Sequence, residues 1–166
     1  VAAHKNGRVV DVNQAYMGFG PMGFFETGTL PVSNVLDLLL KIHYTKDEML
    51  KLLNKDATFS AYVGTNSYDK IIEMSKNNNK TKFILDVMAY QIAKEIASHY
   101  VTLDAKIDAV ILSGKIFSNN RFFKYLSKQI ENLAPVISYP KDYTFEALIC
   151  NVLRIVNGET PVKIYA

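Results

Sequence analysis

Apolar residues recur at steps of three and four along much of this 166-residue chain, a spacing that places them on one face of an α-helix. The longest such segment, residues 80–103, predicts a helix that is buried on more than one side. Shorter helices are predicted from a Ser33 cap, after a Thr45–Glu48 capping box, from 65 to 75, over 119–132, and over 144–156.

The remaining apolar runs indicate strands. Residues 1–4 and 8–12 flank Asn6-Gly7, whose tolerance of positive φ favours a tight hairpin turn. The run 107–112 is almost continuously apolar, as in a strand covered on both faces, and 134–139 predicts a second strand. Residues 162–165 predict a last edge strand. Strand, helix, strand, helix in this order predicts an α/β layer with parallel crossovers.

Two polar or flexible segments separate these elements. Residues 16–31 contain four glycines and end at Pro31, which predicts a long loop of the kind usually kept for function. The run Asn77-Asn78-Asn79 predicts a second, polar loop.

Composition narrows the class of protein. Hydrophobic residues are 49%, charged residues 21%, and the net charge of +3 is spread along the chain, which argues against a nucleic-acid partner. No apolar run is long enough for a membrane span, and no signal peptide is predicted. The single cysteine, Cys150, lies in an apolar run and is predicted to be a core residue in a cytoplasmic protein. His99 lacks partners at metal-ligand spacing, so no metal site is predicted.

Several segments, in order along essentially the whole chain, resemble the second half of butyrate kinases, which are relatives of acetate kinase. The segments are residues 4–13 (HKNGRVVDVN), 18–21 (GFGP), 28–31 (GTLP), 86–96 (DVMAYQIAKEI) and 108–114 (DAVILSG).

The resemblance implies a ribonuclease H-like α/β fold of the acetate and sugar kinase, actin-like superfamily, incomplete at its N-terminus. Residues 1–166 would form one domain, equivalent to the C-terminal, nucleotide-side domain of a butyrate kinase. Family members transfer phosphate between ATP and a short-chain fatty acid, with Mg²⁺.

The chain departs from the family pattern where phosphate is handled. A strand and a glycine-rich phosphate loop carrying a His are expected before residue 1, as is a whole first domain. His4 is not that His, because it aligns with the following strand. Glu26 stands where the family has an Arg, and an acid there reverses the field that stabilises a transferring phosphoryl group. No residue is therefore assigned as catalytic.

The resemblance also implies a nucleotide site. Gly64, Thr65 and Asn66 resemble the turn beside the adenine, and Tyr68 is a candidate to stack on a base or, equally, to pack. A second element, usually Thr-Gly-Gly-Ile, here contains Gly114, Lys115 and Ile116. Lys115 either obstructs the approach of a phosphate or holds it as a point charge. Asn119 is both a family contact position and a plausible helix cap.

Three hypotheses follow for function. The chain is the nucleotide-binding half of a butyrate kinase, inactive alone; or a degenerate, non-catalytic paralogue that serves as an interaction or structural domain; or an enzyme completed by another chain. Glu26 and Lys115 favour the second. The edge that the missing strand would cover predicts self-association into a homo-oligomer, or partial disorder of residues 1–31.

Overall fold

The computed structural model describes residues 1–15 and 18–162. The chain opens with the antiparallel hairpin β1 (Ala2–Lys5) and β2 (Arg8–Val12). Asn6 and Gly7 form the turn with φ angles of 54° and 72°, as the Asn-Gly pair predicts. No helix or strand lies between Asn13 and Pro31 in the described residues, so the predicted glycine-rich loop is confirmed for residues 18–31. The predicted strand at 162–165 falls mainly outside the described residues.

In the described part of the chain, four helices precede the longest one. They are α1 (Val32–Leu40), α2 (Lys46–Lys51), which continues as a π-helical turn at Leu52–Asp56, α3 (Phe59–Val63) and α4 (Tyr68–Asn77). The Thr45–Glu48 capping box is present. The Ser33 cap is wrong: Pro31 lies at the cap position, and the Ser33 hydroxyl donates to Asn34 Oδ1 within the helix.

Helix α5 (Asn79–Thr102) carries the core. Leu85, Met88 and Ala89 are among its buried core residues, and the helix as a whole contacts α4, the hairpin and α6 (Asn120–Ile130). The predicted Asn77–Asn79 loop is wrong, because Asn78 alone separates α4 from α5. The side-chain oxygen of Asn78 accepts from Thr81 N and caps α5, so one residue suffices for the corner.

The α/β layer is confirmed. Strand β3 (Val110–Ser113) pairs in parallel with β4 (Val136–Tyr139), and α6 (Asn120–Ile130) crosses between them after a 3₁₀ turn at Lys115–Ser118. Helix α7 (Thr144–Val156) follows β4. Within the described residues the hairpin and the β3–β4 pair form two separate two-stranded sheets.

One side of this layer is apolar and open. Val110 and Leu112 point into the core, but Ile111 is 63% exposed and Ile137, its partner in the register, is 44% exposed. The expectation that β3 is covered on both faces is therefore wrong for this chain. No residue of α7 is buried, so the prediction of Cys150 as a core residue is also wrong: the thiol is exposed.

Candidate functional site

A pocket of about 330 Å³ lies where the glycine-rich loop meets the carboxyl end of β3 and the start of α4. Ligands of α/β sheets bind beyond the carboxyl ends of strands, so the position agrees with that rule. The pocket brings together three residues selected from sequence, Tyr68, Lys115 and Ile116, together with Glu26. The loop residues Gly23, Phe24 and Phe25, and Met88 of α5, complete the lining.

Phe24 sets the aromatic wall of this pocket. Its ring packs edge-to-face on Phe59, with centroids 5.2 Å apart, and on Tyr68, at 6.1 Å. Phe59 is completely buried, so the loop ring is held by the core. Tyr68 is half-buried, and its hydroxyl lies 3.3 Å from Ser118 Oγ. These contacts join the glycine-rich loop to α3 and to the start of α4, which lie 35 and 44 positions further along the chain.

Lys115 lies at the edge of the same wall. Gly114 precedes it with φ 122° and ψ 160°, a conformation that side chains rarely adopt, and this glycine turns the chain out of β3. The Lys115 ammonium lies 2.9 Å from Asp69 Oδ1 and 4.7 Å from the centroid of the Tyr68 ring. The side chain thus points across to α4.

Glu26 is turned towards its own loop. Its Oε2 accepts from Phe25 N at 3.3 Å, and its carbonyl oxygen accepts from Gly23 N at 3.1 Å. Glu26 therefore bonds within its own turn and adds negative charge to the pocket lining.

The other residues selected from sequence have structural contacts. Gly64 ends α3 in the left-handed conformation, with φ 80°. Asn66 Oδ1 accepts from Ser60 N at 2.8 Å and from the hydroxyl of buried Thr58 at 3.1 Å. Thr65 Oγ1 accepts from Ser67 N, and Asn119 Oδ1 caps α6 by accepting from Phe122 N. The structure thus supplies the cap that was one of the two interpretations of Asn119.

A second, more polar pocket of about 200 Å³ lies between the glycine-rich loop and α5, lined by Gly20, Pro21, Thr29, Gln91, Lys94 and Glu95. Gln91 Oε1 accepts from the buried Met22 N at 2.7 Å, which ties the loop to the helix beside the first pocket.

Titratable residues also join the hairpin to the end of α5. Asp11 Oδ2 accepts from Thr102 Oγ1 at 3.0 Å and lies 3.4 Å from Nδ1 of the buried His99. The Thr102 hydroxyl, the Val12 N–H and His99 lower the pKa of Asp11. Among the residues that the structure describes, no group of three His, Cys, Asp or Glu side chains is placed to hold a metal ion, and no helix is long and apolar enough to cross a membrane.

Sequence reasoning missed Phe24 and Met88 as pocket residues. Met88 lies in the predicted apolar stripe of α5, which gave a core role only. The sequence contained one signal for Phe24: it is a large aromatic residue within a glycine-rich loop. Leaving such a residue exposed to water is unfavourable, so its presence indicates that it packs against another part of the chain.

The fold has counterparts among solved structures. An acetate kinase from Porphyromonas gingivalis superposes with a TM-score of 0.75 at 17% identity, over 92% of this chain and 46% of that one. A propionate kinase from Francisella tularensis gives 0.70 at 17% identity, over 82% and 42%. The chain therefore has the actin-like fold of acetate and propionate kinases, as the resemblance implies.

Sequence comparison identifies the family. Residues 1–135 match the acetokinase family. The chain is 36% identical to a probable butyrate kinase of Bacteroides thetaiotaomicron and 34% identical to butyrate kinase 2 of Clostridium acetobutylicum, each over 99% of this chain and 47% of the relative. The chain belongs to the acetokinase family. It spans about half the length of the curated relatives it matches, which agrees with its resemblance to a C-terminal half.

Proposed function

We propose that residues 1–166 form the nucleotide-binding domain of a carboxylate kinase that transfers phosphate between ATP and a short-chain fatty acid such as butyrate. The observation that carries the proposal is the pocket at the carboxyl end of β3, with an aromatic wall and a lysine, in a chain of the acetokinase family. The proposed residues are Gly64, Thr65, Asn66, Tyr68, Gly114, Lys115, Ile116 and Asn119.

The pocket residues suit a ligand with an aromatic base and phosphates. Phe24 and Tyr68 offer ring faces and edges to a base, and Lys115 offers a cation to a phosphate. A Cβ added to Gly114 would meet no atom within 4 Å, so the space beside this turn is open. Asn66 and Asn119 would act indirectly, because their carbonyl oxygens already hold α3 and α6.

Magnesium fits this pocket only together with a nucleotide. Mg²⁺ is usually bound by one or two carboxylates, waters and the phosphates of the substrate. Asp69 and Glu26 are the carboxylates closest to this role, but Asp69 pairs with Lys115 and Glu26 bonds its own loop. When bound, the ion would neutralise charge on the phosphates, while the chain's own contribution is to bind and orient the nucleotide.

Phosphoryl transfer requires more than these residues. Positive groups must surround the charge that develops on the phosphoryl group, and Glu26 contributes the opposite sign. The chain alone is therefore expected to bind nucleotide without turnover. Carboxylate binding and catalysis would also need the region that corresponds to the half of the relatives that these residues do not span.

The alternative is a non-catalytic paralogue that serves as an interaction or structural domain, as a homodimer or larger homo-oligomer in the cytoplasm. Two contacts favour it: Glu26 is bonded within its loop, and Lys115 is already neutralised by Asp69. The exposed apolar faces of β3–β4 and α7 supply a surface for such contacts.

Nucleotide binding separates the two functions. A ligand that binds only the folded state stabilises it by about 2.7 kcal/mol at a hundred times its dissociation constant. We expect Mg-ADP and Mg-ATP to raise the melting temperature of the chain saturably, and Mg²⁺ alone to leave it unchanged. Phe24→Ala, which removes the loop ring from the pocket wall, should reduce the shift. No shift at millimolar nucleotide would reject the kinase-derived function in favour of the paralogue.

A further inference from the structure

Lys115 is held by two neighbouring residues at the start of α4. The ammonium is 2.9 Å from the Asp69 carboxylate and 4.7 Å from the centroid of the Tyr68 ring. Tyr68 also contacts Ser118, whose hydroxyl donates to the Lys115 carbonyl. The turn after β3 and the first turn of α4 are thus joined across one edge of the aromatic pocket.

This junction is weak enough to open. The side chains of Lys115 and Asp69 are 59% and 78% exposed, so water screens the ion pair. Exposed ion pairs and exposed cation–π contacts of this kind stabilise a protein only slightly. A ligand that offers Lys115 a stronger anion can therefore displace Asp69 without disturbing the core.

The charges that line the pocket leave Lys115 as the partner for an anionic ligand. Among the described residues that line the pocket, Lys115 is the sole cation and Glu26 the sole anion. The Glu26 carboxylate is occupied by its own loop. A phosphorylated ligand entering between these groups would find one positive partner, and Asp69 would compete with it for that partner.

We propose that Lys115 is a charge-selective latch. In the free protein it rests on Asp69 and Tyr68, and a phosphate group draws it away. A neutral ligand with the same base offers no replacement anion and leaves the latch closed. Phosphate oxygens carry more charge than one carboxylate and accept several hydrogen bonds, so the exchange favours a nucleoside diphosphate over its nucleoside. This inference rests on the proposed nucleotide-binding function and names the residue that sets its preference for charge.

The test compares ADP and adenosine binding by calorimetry across single substitutions, both without Mg²⁺ so that Asp69 cannot act through the metal ion. Lys115→Met keeps length and apolar bulk but removes the charge, and should weaken ADP binding about tenfold, the loss expected for a charge-assisted hydrogen bond. Adenosine affinity should change less than about twofold. Asp69→Asn frees the lysine and should tighten ADP binding about two- to fivefold, as for the loss of a competing exposed pair.

Matched controls come from the neighbouring ion pair of α4, in which Lys76 contacts Glu73 away from the pocket. Lys76→Met and Glu73→Gln change the net charge by the same amounts as Lys115→Met and Asp69→Asn. Both should leave the affinities for ADP and adenosine within about twofold of the wild type, because salt screens charges that are distant from the ligand. Circular dichroism would establish that each variant is folded.

Each other outcome overturns the latch in a recognisable way. If Lys115→Met leaves the ADP-to-adenosine ratio unchanged while both ligands bind, the latch is wrong and the proposed function stands. If Lys115→Met tightens ADP binding, Lys115 obstructs the pocket. If Lys76→Met weakens ADP equally, the effect is general charge. If neither ligand binds the wild type or any variant, the proposed function fails together with the latch.

Discussion

The imidazole of His99 lies against the carboxylate of Asp11, with 3.4 Å between Nδ1 and Oδ2. His99 belongs to α5 and is buried, whereas Asp11 belongs to β2. Thr102, one turn further along α5, donates to the same Oδ2. These contacts attach the hairpin to the last turn of the longest helix, and the Lys5–Asp104 ion pair attaches it to the turn that follows.

Asp11 should make the stability of the chain sensitive to acid. The Thr102 hydroxyl, the Val12 N–H and His99 lower its pKa in the folded protein from the usual 3.8. A carboxyl whose folded pKa is lowered stabilises the fold above its unfolded pKa, and this contribution is lost as the pH falls through the folded pKa. We expect the difference in unfolding free energy between wild type and Asp11→Asn to be present at pH 6 and to shrink below pH about 4.

Urea titrations of both proteins between pH 6 and 2.5 would measure that difference. Glu48 and Asp142 also have lowered pKa values, so the wild-type curve alone would mix three carboxyls. Thr102→Val removes the leading donor and should reduce the difference. Parallel curves for wild type and Asp11→Asn over the whole range would show that the ionisation of Asp11 does not contribute to stability.

Gln91 should be required to hold the glycine-rich loop. Replacement with Leu leaves the buried Met22 N–H without the acceptor that lies at 2.7 Å, and an unpaired buried donor costs about 1–3 kcal/mol. Gln129→Leu is the matched control, because the exposed Gln129 amide donates only within its own helix, to Tyr125 O. Urea unfolding should show a loss for Gln91→Leu and a change within about 0.5 kcal/mol for the control. Equal effects would contradict the role of Gln91.

Gly28 tests the same contact between the glycine-rich loop and α5, this time through the backbone. It has φ 79°, and an added Cβ would lie 3.0 Å from Met22 N and 3.1 Å from Gln91 Oε1. Gly64 has φ 80° but nothing within 4 Å of an added Cβ. Gly64→Ala should therefore cost only the left-handed conformation, about 1–2 kcal/mol, and Gly28→Ala should cost clearly more. Similar melting temperatures for the two variants would mean that the loop shifts to accommodate the added methyl group without measurable loss of stability.

The sequence predicted elements best where one local signal was strong. The Asn-Gly turn, the Thr45–Glu48 box and the apolar spacing of α5 each determine backbone geometry within a few residues, and each prediction is confirmed. The Asn77–Asn79 loop failed because polarity alone cannot distinguish a loop from a one-residue cap. Asn78 satisfies the first amides of α5, and both flanking asparagines are helical.

Local sequence signals could not predict the contacts between residues that are distant in the chain. Phe24 joins the pocket through Phe59 and Tyr68, residues 35 and 44 positions away in the chain, and no spacing rule connects them. Cys150 and Ile111 were expected to be buried because their neighbours are apolar. Apolar character indicates that a face needs cover, but it does not show that the same 166 residues provide it.

The uncovered faces should make the isolated chain associate. Leu148 is 58% exposed and Val152, four residues later on α7, is also 58% exposed, so they form an apolar stripe on one side of the helix. Apolar surface contributes about 25 cal/mol per Å² when it is removed from water, and contiguous exposed patches commonly mark interaction sites. We expect sedimentation velocity to show association that increases with protein concentration, and Leu148→Lys/Val152→Lys to weaken it.

Val10→Lys on the exposed hairpin is the comparison variant, because the sequence first suggested that the chain associates through the edge of the hairpin. If the hairpin variant alone dissolves the oligomer, strand pairing is the cause and α7 is incidental. If α7 variants alone do so, association occurs through the helical face. A wild-type chain that stays monomeric at high concentration would reject both, and with them the homo-oligomer.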